Sequence, residues 1–94
     1  MRKLAADSGH VAVVFELPSA VGARRAAIAG DFTAWNKVEM NPLADGSFTL
    51  TVDLPVGAAY RFRYFVNDLV WENDWAADDY VPNPFGGEDS VVIV

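Results

Sequence analysis

Cysteine is absent from this 94-residue chain, which excludes disulfides, thiolate metal sites and a cysteine nucleophile. A chain without thiols suits a reducing compartment, and a cytoplasmic location is expected. Histidine occurs once, as His10, at a strand start beside Gly9. Nucleophilic triads need a histidine oriented by an acid, and a single one near the terminus reads as a surface residue. Long apolar runs are also missing. None approaches the roughly 20 residues of a membrane-spanning helix, so no membrane partner is expected. The start, Met1-Arg2-Lys3-Leu4-Ala5-Ala6-Asp7-Ser8, is basic but has no apolar stretch behind it, and does not read as a secretory signal. Positive charge is scarce: seven bases stand against thirteen acids, for a net charge of −6. Such a chain repels phosphates unless its bases gather on one face. Four of the seven sit in two pairs, Arg24-Arg25 and Arg61/Arg63, too few for a phosphate track, and no nucleic-acid partner is expected.

What is present is apolar residue in short alternating runs. Hydrophobic content of 52% with 21% charge argues for one packed domain rather than disorder. In His10–Leu17, Val11, Val13, Phe15 and Leu17 share one face with period two, the mark of a strand. Arg24–Ala29 reads as a small-residue strand. The Asp45-Gly46 turn signal precedes Phe48, Leu50, Val52 and Leu54, which alternate with Thr49, Thr51 and Asp53. After Pro55-Val56-Gly57, the run 59–66 puts Tyr60, Phe62, Tyr64 and Val66 on one face and Arg61, Arg63 and Phe65 on the other. Asn67-Asp68 is a turn, 69–71 a short return strand, and 89–94 a closing strand. Glu72–Asn83 is polar and acidic, and Pro82 and Pro84 break it, so it is expected to be a solvated loop. No stretch of ten residues carries a helical apolar stripe. The prediction is an all-β sandwich of about seven antiparallel strands, with residues 1–9 a flexible N-terminus and 10–94 a single domain.

Thirteen acids always offer some pair at glycosidase spacing, so that pattern discriminates nothing, and a sandwich this small has little room for a deep pocket. The carboxylates of Asp68, Glu72, Asp74, Asp78 and Asp79 lack the oxygen spacing and turn glycine of an EF-hand loop, and no metal site is expected. The tryptophans are more informative, since all three lie in or beside loops. In a small domain a tryptophan is usually core. Exposed, it gives a stacking face for a sugar ring, with forked polar groups nearby to meet the hydroxyls. Trp35, Trp71, Arg63 and Asn67 form such a set if folding brings them together.

The stretch Gly30-Asp31-Phe32-Thr33-Ala34-Trp35-Asn36 resembles the "G-x-F-N-x-W" signature of carbohydrate-binding module family 48, which includes the isoamylase N-terminal early-set domains and the glycogen-binding domain of a kinase β subunit. Leu54-Pro55-Val56-Gly57 with the run Tyr60 to Asp68, followed by Trp71, is similar to the family's "L-P-x-G … Y-x-F-x-Y/F-x-V-D-G" hairpin. Phe85-Gly86-Gly87 with Asp89-Ser90-Val91-Val92 resembles its closing "G-x-x-N-x-x-(I/V)" strand. The likeness spans roughly residues 10–94, with the motifs in the family's order.

The resemblance implies an immunoglobulin-like sandwich and non-catalytic binding of α-1,4-linked glucan, of the glycogen or starch kind. By match to the family's glycogen-binding members, Trp35 and Trp71 would stack on glucose rings. Arg63 would be the basic contact, Phe85 the hydrophobic one, and Asp89 would stand at the amide position. Three departures accompany it. Asp89 replaces an asparagine, Thr33 replaces another, and Asn67-Asp68-Leu69-Val70-Trp71 is one residue longer than the usual turn, a length that can swing Trp71 off the shared face. Many relatives are appendages of family 13 glycoside hydrolases, from which any hydrolase label would be inherited. This chain has no catalytic barrel, which would take about 250 residues, and it is not expected to be an enzyme. The alternative is a protein-interaction domain of the same fold that has lost the sugar, an accessory to a separate amylolytic or branching enzyme. No cofactor is expected.

Overall fold

Two-faced alternation needs a sheet with one side in the core, and the computed structural model supplies two such sheets. It describes all 94 residues apart from the side chains of residues 5–7. The strands are β1 (Arg2–Asp7), β2 (His10–Leu17), β3 (Ala26–Gly30), β4 (Val38–Glu39), β5 (Asn41–Pro42), β6 (Phe48–Pro55), β7 (Ala59–Val66), β8 (Val70–Glu72), β9 (Asp79–Pro82) and β10 (Glu88–Ile93). One sheet runs β1-β2-β6-β5 and the other β4-β3-β7-β10-β9, with β8 also paired to β7. All pairings are antiparallel. The molecule is an all-β sandwich, and no α-helix occurs among the described residues.

The inner faces follow the alternation. Val13, Phe15 and Leu17 of β2 lie opposite Val52, Leu50 and Phe48 of β6, and face Ile28, Phe62, Tyr64 and Val92 of the second sheet in one buried cluster. Each such side chain contributes about 1.5–3 kcal/mol by leaving water. At its centre the Phe15 ring meets Phe62 edge-on at 4.9 Å and stacks on Phe32 at 5.1 Å. Tyr64 is fully buried, and its hydroxyl donates to Asp74 Oδ2 at 2.6 Å.

Three sequence expectations need correcting. Residues 2–7, expected as a flexible lead-in, form edge strand β1 on β2, where Arg2 pairs with Glu16 and Lys3 reaches Asp78. The 72–83 stretch is not wholly a solvated loop. It contains β9, which β10 holds in register from Asp79 opposite Val91 to Pro82 opposite Glu88. An edge strand tolerates that proline. Within the same stretch Asp74 is only 4% exposed, with Oδ1 accepting the Ala76 N–H as well as Oδ2 taking the Tyr64 hydroxyl. Finally, ten strands form where about seven were expected. β4 and β5 are two residues each, too short for any period to show.

Strand β7 sets up the second face. Its even residues face the core, so Arg61, Arg63 and Phe65 stand on the outside of the second sheet. Across from Arg63 and Phe65 the neighbouring strand β3 offers only Ala29 and Ala27, and these small side chains leave room above the sheet.

Candidate functional site

Three loops surround that outer face. The first is the turn leaving β3. Gly30 passes so close to β7 that a Cβ there would sit 2.4 Å from the Arg61 carbonyl oxygen and 2.8 Å from Phe62 Cβ. Only glycine allows this approach. A single 3-10 turn follows at Asp31–Thr33. Thr33 Oγ1 accepts the Gly30 N–H at 3.0 Å and donates to the Gly30 carbonyl at 3.1 Å, so the threonine closes the turn itself. Ala34 and Trp35 then take left-handed φ of 52° and 60°, uncommon for residues with a Cβ. The Trp35 N–H donates to the Gly30 carbonyl at 2.9 Å. Phe32 turns inward onto Phe15, and Trp35 turns outward, 40% exposed.

The second loop is the β7–β8 hairpin. Asn67 and Asp68 have φ of 55° and 54°, the left-handed pair of a tight hairpin, which Asn and Asp tolerate best after glycine. This turn leaves Trp71 on the outer face, where it pairs directly with Phe65, with ring centroids 4.7 Å apart. Lys37 Nζ lies 3.9 Å over the Phe65 ring and 5.6 Å from that of Trp71, and the Arg63 guanidinium is 5.9 Å from Trp71. These are cation–π distances.

The third loop joins β9 to β10. Asn83 organises it: Oδ1 accepts the N–H groups of Phe85 (3.0 Å) and Gly87 (3.1 Å), and Nδ2 donates to Asp89 Oδ1 at 3.1 Å. Gly86 takes φ of 85° at the tip, and the Phe85 side chain projects into solvent, 93% exposed. Asp89 lies beneath, only 6% exposed.

Together the loops bound an open groove of about 830 Å³. Of the six residues expected at a site, Trp35, Arg63, Trp71, Phe85 and Asp89 line it, and Asn67 does not. The Asn67 side chain is engaged elsewhere, its Oδ1 accepting the backbone N–H groups of Arg24 (2.7 Å) and Arg25 (3.1 Å). Its work is to fasten the hairpin to the segment entering β3. The lining also includes Asp31, Arg61, Asn83 and Pro84. Asp31 and Arg61 had a signal in sequence, one inside the Gly30–Asn36 stretch and one alternating with Arg63. Asn83, flanked by prolines, had none.

Two guanidiniums, Arg61 and Arg63, and two carboxylates, Asp31 and Asp89, line the groove, so its formal charge balances within a chain of net −6. Neither arginine forms an ion pair among the described residues. Arg63 Nε is buried without a hydrogen-bond partner. Asp31 is engaged on both oxygens, Oδ1 by the Trp35 indole N–H (3.1 Å) and Oδ2 by the Arg61 backbone N–H (2.8 Å). Two flat aromatic faces, forked donors and a neutral balance can receive a ring-shaped, polyhydroxylated molecule. Compared with known proteins, the chain matches no family model and no curated protein sequence.

Proposed function

We propose that this chain binds α-1,4-linked glucan, an oligosaccharide or polysaccharide of the glycogen or starch kind, without catalysing its cleavage. The observation that carries the reading is that Trp35 and Trp71, 40% and 36% exposed, open onto one groove with Arg61, Arg63 and Asn83. A pyranose presents C–H groups on its faces and hydroxyls at its rim. Aromatic faces meet the first, and the guanidinium forks of Arg61 and Arg63 meet the second. The balanced lining charge favours a neutral ligand. The two groove carboxylates are poor candidates for acid–base work, since Asp31 is engaged on both oxygens and Asp89 is buried beneath the loop.

A shallow site with two stacked rings gives a Kd on the order of 0.1–1 mM, about −4 to −5.5 kcal/mol. Titration of the ¹⁵N-labelled protein with maltoheptaose should shift the Trp35 and Trp71 indole and Arg63 signals in that range. Unmoved signals at several millimolar ligand would sink the reading. A second reading has its own observation: Leu69, Val70 and Phe85 are exposed apolar side chains on two of the loops. A domain docking on a separate amylolytic enzyme would use them, and such binding would be indifferent to soluble glucan.

A further inference from the structure

We infer that Asp31 is the positioning residue of the groove, holding the Trp35 indole so that this ring meets a ligand with its face alone. The inference rests on the glucan-binding reading. Trp35 sits on a turn, in a backbone conformation that a bulky residue seldom adopts, and turns are where side chains ordinarily wander. Here the ring is tethered at its far end. Asp31 Oδ1 accepts its N–H at 3.1 Å while Oδ2 accepts the Arg61 N–H at 2.8 Å. One carboxylate therefore joins the ring to strand β7, the rigid floor of the groove.

The residue type follows from the two donors. A carboxylate accepts on both oxygens, whereas an amide has one acceptor and would set its own N–H₂ against the second donor. Charge on the acceptor strengthens both bonds. It also pushes electron density toward the indole, and the π face is the negative part of the ring's quadrupole. That face is what the C–H groups of a sugar pack against. Because the indole N–H is already engaged, Trp35 has no donor left for a hydroxyl, and polar recognition falls to the arginines.

The test uses the full chain and three substitutions, D31A, D31N and W35F, with maltoheptaose as ligand. In D31A the Trp35 indole N–H should exchange with solvent at least about tenfold faster. Its Kd should rise by about five- to tenfold, the scale of one ordinary hydrogen bond's net contribution. D31N keeps one acceptor and should fall between, and it preserves the test if D31A folds poorly. In the W35F background, which has no N–H to hold, D31A should change Kd by less than about twofold. An unchanged indole signal and Kd in D31A overturn the inference, and so does an equal weakening with and without the indole, which would mean that Asp31 merely firms the turn. If the wild-type protein ignores maltoheptaose, the glucan reading fails by itself. The indole exchange of D31A against wild type then still decides whether Asp31 holds the ring.

Discussion

Trp71 lies directly across the β7–β8 pair from Phe65, ring centroids 4.7 Å apart, and Lys37 caps Phe65 from 3.9 Å. Phe65 is thus the neighbour that orients Trp71, and Trp71 is the residue available to a ligand. Trp71→Ala should cost about 1–3 kcal/mol of maltoheptaose binding. Phe65→Ala should cost less, about 0.5–1.5 kcal/mol, because it removes the support and not the face. Calorimetric titration of both variants checks the order. A larger loss in Phe65→Ala would reverse the assignment.

Gly30→Ala tests the close approach that launches the Trp35 turn. The added methyl would meet backbone oxygen of Arg61 at 2.4 Å, and a strand carbonyl has no rotamer by which to give way. The expected loss is about 1–3 kcal/mol of folding stability, read from the urea midpoint. A variant as stable as wild type would show that the strand spacing is looser than described.

Tyr64 governs the alkaline limit. Its hydroxyl donates to Asp74 Oδ2 in the core, and the Met1 ammonium lies 3.6 Å from the same oxygen. Burial, and then the charge of Asp74, raise the phenol far above its ordinary value. A group with a raised folded pKa contributes its full stability below the unfolded value, here about 10, and loses it as pH climbs further. Stability should therefore fall above about pH 10, and Tyr64→Phe should flatten that limb. At neutral pH the same variant should cost about 1–3 kcal/mol, through the carboxylate left short of a donor.

Asp78 acts at the other end of the scale. Burial works to raise its carboxyl, but the Ile93 N–H at 2.7 Å and Lys3 at 2.6 Å prevail and lower it. A depressed folded pKa gives stability above the unfolded carboxylate value, near 4, that is lost as pH falls through the folded one. Thermal melts should show a decline in that acid window, shallower in Asp78→Asn. If the two curves are parallel, the tie between β1 and β10 contributes nothing.

The long alternating strands were legible because period two survives in the residues themselves. β2, β6 and β7 fall at or within one residue of the runs read from Val11, Phe48 and Tyr60. Strands β1 and β9 were not, since they are held from outside, by the open edges of β2 and β10. The groove divides in the same way. Trp35 and Trp71 stand out by type and by their place beside turns. Asn67 is of a type that suits a binding site, yet its amide oxygen is taken by two backbone donors more than forty positions away in sequence. Asn83 and Asp89 acquire their roles only when the loop folds back, and no local pattern announces a bond of that kind.

The left-handed pair at Ala34 and Trp35 bears on kinetics. The turn is closed by the Gly30 carbonyl and by Thr33 before any ligand arrives, so this turn does not have to form during encounter. Sugars of different length should then associate at similar rates, and their affinities should separate almost entirely in how long each stays bound.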